Sequence, residues 1–237
     1  MEIITLGIVS LFTSLIAAVV GVGGGLMLIA ILPSFFPIQA VIPIHGLTQL
    51  SSNISRAYFG FKDIQFEVVP KFLIGSVFGV GIIIFILDMI SIEYIPLFIG
   101  IYILLSLWSK NFNEKIKQYE SYYLIGFLQS GLSIVIGTTG PLTLTKLHKD
   151  YKEKNKVVAT SALLMSITHC MKVIVFIYFG FVFFDYLEII IVMSLGVIIG
   201  SYIGTKIRNK VDGQKLLFLI KIVLSLLAIK LIMSWLI

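Results

Sequence analysis

Polar side chains follow one face of an otherwise apolar segment in the first half of the chain. His45, Gln49, Ser52 and Arg56 are spaced three or four residues apart, which places them on one side of a helix. The histidine is suited to relaying protons or to hydrogen-bonding a ligand, and a structural role fits it equally well. Arg56 lies near the end of its segment and is interpreted as an interfacial anchor.

A later segment repeats this pattern with an offset of 120 residues. Its equivalent face carries Met165, His169, Lys172 and Phe176, and Thr168 corresponds to Thr48. Within a membrane, a lysine deep in a helix costs about 2.5–3.5 kcal/mol and marks a functional site by default. A bound anion would offset the cost of Lys172. The alternative is that its side chain snorkels to the membrane interface.

Two breaks interrupt the apolar segments that precede these polar faces. The first contains Gly23, Gly24 and Gly25, and the second contains Thr138, Thr139 and Gly140. Non-helical backbone at membrane depth is tolerated only where it is buried in protein or lines a polar cavity. A helix that begins after a break offers free N–H groups and a partial positive charge.

We therefore expect both breaks and both polar faces to form one anion site. Its members are Gly23, Gly24, Gly25, His45, Thr48, Gln49, Ser52, Thr138, Thr139, Gly140, Thr168, His169 and Lys172. The alternative is that the glycines only allow close helix packing. That is the interpretation we adopt for two further glycine pairs, Gly75 with Gly79 and Gly200 with Gly204.

The composition places these elements in a membrane. Of 237 residues, 58% are hydrophobic and 13% are charged, against about 25% charged residues in a soluble domain. A membrane-spanning helix needs about 20 mainly apolar residues. Such stretches lie at 3–32, 39–61, 68–88, 92–108, 120–147, 157–181, 187–205 and 214–236. A soluble enzyme is excluded.

Charge and cysteine content exclude further classes. The net charge of +6 comes mostly from short loops, where lysine and arginine set membrane orientation, so we expect the lipid bilayer and no nucleic acid as a partner. The single cysteine, Cys170, forbids an intramolecular disulfide and argues against a thiol metal site. No cofactor and no metal are expected.

Three landmarks recur in the same order in the two halves of the chain. Residues 21–25, 58–61 and 75–79 recur at 137–141, 178–181 and 200–204, with offsets of 116, 120 and 125 residues. An internal duplication with small insertions explains all three matches. Equivalent loops carry opposite charge, so the positive-inside rule predicts that the halves are inverted.

Inversion requires an odd number of crossings in each half, so one of the four apolar segments in each half must not cross. The sequence predicts an all-α polytopic membrane protein with two inverted repeats, each a glycine-broken re-entrant hairpin followed by three transmembrane helices. The first repeat is 1–110, with hairpin 3–32 and spans 39–61, 68–88 and 92–108. Residues 111–119 are a cytoplasmic linker. The second repeat is 120–237, with hairpin 120–147 and spans 157–181, 187–205 and 214–236.

The first break and the segment after it carry a family resemblance. Residues 21–25 read GVGGG and are followed by Leu26–Pro33, then by HGLTQLSSNISR at 45–56 and by the weaker second copy. These motifs, over nearly the whole chain, resemble the sulfite exporter TauE/SafE family. The resemblance implies transport of sulfite, sulfonates or related anions. The second break departs from the pattern, because threonine and proline replace a richer glycine run.

We therefore predict a secondary transporter of small anions, such as sulfite, sulfonate or related organosulfur anions, in the inner cell membrane, working by alternating access. No nucleotide-binding GxxxxGK[ST] motif is present. An anion channel of the same fold is one alternative, and an intramembrane enzyme using His45 and His169 is another. Against an enzyme, the sequence has no HExxH, no GxSxG and no paired intramembrane carboxylates. A homodimer is compatible with the sequence.

Overall fold

The protein is all-helical in a computed structural model that describes residues 1–87, 89, 91–118, 121–139 and 141–236. The predicted all-α membrane fold is confirmed. Eleven α-helices lie in the described part of the chain: α1 Glu2–Val20, α2 Gly24–Ile31, α3 Ile38–Phe59, α4 Val69–Leu87, α5 Ile95–Trp108, α6 Lys110–Gln118, α7 Tyr122–Ile136, α8 Pro141–Asp150, α9 Lys154–Tyr178, α10 Leu187–Ile207 and α11 Gly213–Leu236.

Five of the described helices are long and apolar enough to cross a membrane, namely α1, α9, α11 and the segments Phe66–Leu87 and Phe183–Ile207 around α4 and α10. The helix α3 has 22 residues but is more polar, and α5 and α7 have 14 and 15 residues. Helices therefore occupy all six stretches that the sequence predicts as spans. Their path through the bilayer stays a prediction.

The first break lies between α1 and α2. Gly21 ends α1 with a φ of 93° and Gly23 precedes α2 with a φ of 95°, values in the left-handed region that favours glycine. The helix α2 then folds back against α1. A Cβ on Gly24 would lie 1.9 Å from the carbonyl oxygen of Thr13, so this turn has no room for a side chain.

Two equivalent helix pairs depend on small residues. The helix α4 packs on α7, and α10 packs on α1. A Cβ on Gly75 would lie 1.9 Å from the carbonyl oxygen of Tyr123, and a Cβ on Gly200 would lie 2.2 Å from that of Leu11. These contacts confirm that the two glycine pairs serve close packing.

The centre of the fold is the crossing of α3 and α9. Ile42 and Phe176 border one cavity, the rings of His45 and His169 meet further along, and Gly60 lies against Ala159 at the other end of the interface. The two helices therefore run in opposite directions, so their polar faces meet along the protein interior.

Exchanging the two halves of the chain preserves the main helix pairs. In the duplication, α1 is equivalent to α7 and α10 to α4, and α1 packs on α10 as α7 packs on α4. The helices α3 and α9 are equivalent and pack on each other, and so do α5 and α11. The boundaries of the two repeats, their inversion across the membrane and the re-entrant path of 3–32 and 120–147 stay predictions. The predicted linker 111–119 is largely helical, since α6 covers it to Gln118.

Candidate functional site

A small polar cavity lies between the two breaks and the α3–α9 crossing. Its volume is about 30 Å³, which is room for roughly two water molecules at about one probe sphere each. We call it the polar cavity. Its lining residues are Ala17, Gly21, Val22, Gly23, Gly25, Leu26, Gln49, Asn53, Arg56, Thr138, Ser161 and Met165.

The two breaks meet at this cavity. A Cβ on Gly25 would lie 3.2 Å from Oε1 of Gln49 and 3.4 Å from Oγ1 of Thr138. Gly137, with a φ of 78°, packs so closely on α2 that a Cβ there would lie 2.7 Å from the side chain of Ile29. Glycine at Gly25 and Gly137 therefore lets the backbone of each break approach the other.

Arg56 brings a positive charge into the polar cavity. Its side chain is only 4% exposed, and Nη2 donates a hydrogen bond of 2.6 Å to Oδ1 of Asn53. Its Nε has no hydrogen-bond partner and no carboxylate pairs with it among the described residues. The interpretation of Arg56 as an interfacial anchor is wrong, because the side chain is enclosed by protein.

The second break is held in place by Gln129 of α7. Its backbone carbonyl accepts a hydrogen bond of 2.8 Å from Thr139 Oγ1. Its side-chain Oε1 accepts hydrogen bonds from the backbone N–H and the hydroxyl of Thr143, and its Nε2 donates to Thr168 Oγ1 at 3.2 Å. One buried glutamine thus ties α7, the start of α8 and α9 together.

Hydroxyl clusters fix the helices around each break. Around the first break, Ser14 Oγ lies 2.8 Å from Ser52 Oγ and 2.8 Å from Ser201 Oγ. Around the second break, Ser130 Oγ donates a hydrogen bond of 2.8 Å to Ser76 Oγ. Ser130 and Ser76 match Ser14 and Ser201 at the offsets of the duplication, so equivalent residues make equivalent contacts.

Arg208 supports the first break from the end of α10. Its Nε donates a hydrogen bond of 2.7 Å to the carbonyl oxygen of Ala18, one of the last carbonyls of α1, which have no partner within the helix. Burial lowers the pKa of the Arg208 guanidinium, and the nearby charge of Asp63 opposes that shift. This contact fixes where α1 ends.

Three buried side chains form a second group, which we call the central cluster: His45, His169 and Lys172. The two imidazole rings meet edge to face with their centroids 5.7 Å apart. His45 Nε2 lies 3.0 Å from the carbonyl oxygen of Gly25. Lys172 Nζ donates to the carbonyl oxygen of Gly137 and lies 3.3 Å from His169 Nδ1.

The snorkelling alternative for Lys172 is wrong. Its side chain is fully buried, and its ammonium group turns to the second break instead of a membrane interface. The structure thus brings His45, His169 and Lys172 against the two breaks, although none of them lines the polar cavity.

The structure divides the predicted site residues into three groups. Gly23, Gly25, Gln49 and Thr138 line the polar cavity. His45, His169 and Lys172 form the central cluster. The rest are buried beside them without lining the cavity, namely Gly24, Thr48, Ser52, Thr139 and Thr168, and Gly140 lies outside the described residues. Among these, Thr48 Oγ1 has no hydrogen-bond partner in the described part of the chain.

Sequence reasoning missed four polar contributors to this region, and the first is Arg56, which it placed at a membrane interface. Asn53 and Ser161 line the polar cavity, and Gln129 holds its second break. Asn53 lies one turn after Gln49, and its position next to a polar face was the available signal. Nothing in the sequence distinguishes Gln129 from other polar residues of apolar helices, because its role depends on contacts with α8 and α9.

A comparison with protein-family models assigns the chain. The model described as Sulfite exporter TauE/SafE matches residues 6–231. The chain belongs to the TauE/SafE sulfite exporter family. As a TauE/SafE protein it is a membrane protein of an exporter-type transporter family, and the match covers both breaks and the central cluster. Searches of curated proteins and of solved structures found no match.

Proposed function

We propose that this TauE/SafE protein is a secondary transporter that moves small anions across the inner cell membrane, with sulfite, sulfonates and related organosulfur anions as the substrate class. The observation that carries the proposal is Arg56, a buried guanidinium in a cavity between two breaks, without an acidic partner among the described residues. A buried charge without a counterion is costly, and a bound anion would supply the counterion.

The groups around Arg56 suit an oxyanion. Gln49 contributes an amide that can donate hydrogen bonds, and Thr138 and Ser161 contribute hydroxyls. The helix α2 begins at Gly24, directly after the break, and the first N–H groups of a helix favour negative charge. Hydrogen bonds from charged donors to oxyanions are roughly twice as strong as neutral ones.

The volume of the polar cavity favours a small, dehydrated substrate. Its volume of about 30 Å³ is closer to that of a few heavy atoms than to that of an ion with its hydration shell. An oxyanion with a short carbon chain requires a wider state of the same cavity. Two arrangements of α3 and α9 that open this region to opposite faces would provide alternating access.

The membrane potential is a sufficient energy source for export. With the inside negative, outward movement of an anion is favourable by about 2.3 kcal/mol per charge per 100 mV. The proposal assigns no catalytic step to His45 or His169.

Thermal unfolding of the purified protein in detergent tests the proposal. Sodium salts of sulfite, thiosulfate, sulfoacetate, sulfate and chloride are compared at equal ionic strength. A ligand at 100 times its Kd adds about 2.7 kcal/mol to the free energy of unfolding. We expect one sulfur oxyanion to raise the Tm and this rise to fall to about half or less in Arg56→Met. Equal Tm values with all five salts would contradict an anion site.

A further inference from the structure

A second cavity lies at the other side of the central cluster. It has a volume of about 500 Å³ and is lined by Ile38, Gln39, Ile42, Leu87, Ile95, Ile134, Val135, Phe176, Phe179, Gly180 and Phe181. We call it the apolar cavity. It lies between α3, α5, α7, α9 and the end of α4. It is next to the ends of α3 and α9 that are opposite Arg56 and Ser161.

The central cluster lies between the two cavities along α3 and α9. On α3, Ile42 of the apolar cavity lies about one turn before His45, and Gln49 of the polar cavity lies about one turn after it. On α9, Met165 of the polar cavity and Phe176 of the apolar cavity lie about one turn on either side of the pair formed by His169 and Lys172. The cluster therefore lies in the stretch that separates the two cavities, which is about two turns long on α3 and about three turns long on α9.

Lys172 is held in the cluster by uncharged partners, and a small residue on the facing helix leaves space for its side chain. Its ammonium group bonds to the carbonyl oxygen of Gly137 and contacts His169 Nδ1, both uncharged acceptors. A Cβ on Gly46 would lie 2.9 Å from Cδ of Lys172, so the glycine makes room for the lysine stem. A flexible side chain of this kind can leave without rearranging the backbone.

The histidine rings are also under-bonded. Nδ1 of His45 and Nε2 of His169 are buried, and neither has a hydrogen-bond partner among the described residues. A buried nitrogen without a partner is unfavourable. Both rings would gain from an arrangement in which water or a ligand reaches them, which is what an open connection between the cavities would provide.

We propose that the central cluster is the gate between the polar and apolar cavities, and that the bond from Lys172 to the carbonyl oxygen of Gly137 is its latch. In the closed state, this bond keeps the side chains of Lys172 and His169 between the two cavities. When the latch breaks, the lysine stem swings away from Gly46 and the cavities join. The inference rests on the proposed function, because a gate requires a passing substrate.

Cysteine accessibility tests the gate without any transported substrate. Cys170 is exposed, so it is first replaced by serine. Single reporters are then placed in the apolar cavity, as Gln39→Cys, and in the polar cavity, as Ser161→Cys. A membrane-impermeant, anionic methanethiosulfonate reagent is added to right-side-out and to inside-out vesicles. We expect the Gln39 reporter to react from one face and the Ser161 reporter to be protected from that same face.

Two variants break the latch in different ways. Lys172→Met removes the donor, and Gly46→Ala keeps the charge but pushes the lysine stem. The reagent is added to the membrane face from which the Gln39 reporter reacts. There we expect Lys172→Met to raise the reaction rate of the Ser161 reporter by about tenfold or more, because the closed state loses one hydrogen bond from a charged group. Gly46→Ala should raise the rate less. Gly81→Ala is the matched control, because a Cβ there would have no atom of another element within 4 Å in the described part of the chain.

Unchanged rates at the Ser161 reporter in both Lys172→Met and Gly46→Ala would overturn the gate, provided that both variants unfold at the parent temperature. A raised rate in these variants, together with a parent protein that no sulfur oxyanion stabilises, would support the gate and refute the proposed substrate class. A failure of the gate and a failure of the proposed function therefore give different results.

Discussion

The substitution Arg56→Met tests the anion site at the residue that contributes its charge. Methionine keeps a long, unbranched side chain in the buried position and removes the guanidinium. The only hydrogen bond recorded for the Arg56 side chain in the described part of the protein is the one to Asn53 Oδ1. The loss of that bond leaves one buried amide oxygen without a partner in the described part of the protein, which costs about 1–3 kcal/mol, and we expect the fold to survive a loss of that size.

The expected loss of affinity follows from one charge-assisted contact. A hydrogen bond to a charged group contributes about 1.5–3 kcal/mol, and each 1.4 kcal/mol changes a Kd about tenfold. We therefore expect the Kd of the preferred oxyanion to rise about 10- to 150-fold in Arg56→Met. Arg56→Lys keeps the charge but lacks the planar fork of donors, so its Kd should lie between those of the parent and of Arg56→Met.

The assay is the dependence of Tm on the concentration of the oxyanion, which gives a Kd for each variant. Lys62→Gln is the matched control, because it removes the same net charge from an exposed position in the loop directly after α3. Its Kd should equal that of the parent. A Kd in Arg56→Met within about twofold of the parent value would refute the assignment of Arg56 as an anion ligand, since about twofold is well below the loss of one hydrogen bond.

Three further predictions concern the scaffold of the site. Gln129→Leu should lower the free energy of unfolding by about 1–3 kcal/mol for each buried group that loses its partner. The measurement is thermal unfolding, with Gln129→Glu as the comparison variant of the same shape. Gly75→Ala should lower the Tm markedly because its Cβ would meet a backbone carbonyl at 1.9 Å, whereas Gly81→Ala, in open space, should not; equal Tm values would refute the packing role. Ser14→Ala and Ser130→Ala should each cost about 1 kcal/mol, and clearly unequal losses would argue against equivalent roles in the two halves.

The fold was largely predictable because the sequence carries strong, local signals for it. The apolar segments are long, and Gly21–Gly25 is a glycine-rich break inside one of them. Glycine pairs at four-residue spacing predicted the close contacts of α4 and α10. The finer division of 3–32 into α1 and a short α2 depends on positive φ angles at Gly21 and Gly23, which composition alone does not locate.

The sequence predicted which residues belong to the candidate site better than it predicted how they are arranged. Helical spacing predicted that His45 and Gln49 share a face, and the duplication predicted that His169 and Lys172 would face them. Spacing cannot say that α3 and α9 cross so that Gln49 borders the polar cavity while Lys172 bonds to the second break. The burial of Arg56 was missed because its distance from the helix end suggested an interface, whereas the protein around the polar cavity encloses it.

Flux of sulfite through proteoliposomes tests the central claim most directly. Vesicles loaded with sulfite are given a potential that is negative inside, and efflux is followed over a range of internal concentrations. The proposed function predicts saturable efflux that increases with the potential and is strongly reduced in Arg56→Met but not in Lys62→Gln. Efflux no faster than from protein-free vesicles, or efflux equal in the parent and in Arg56→Met, would contradict it.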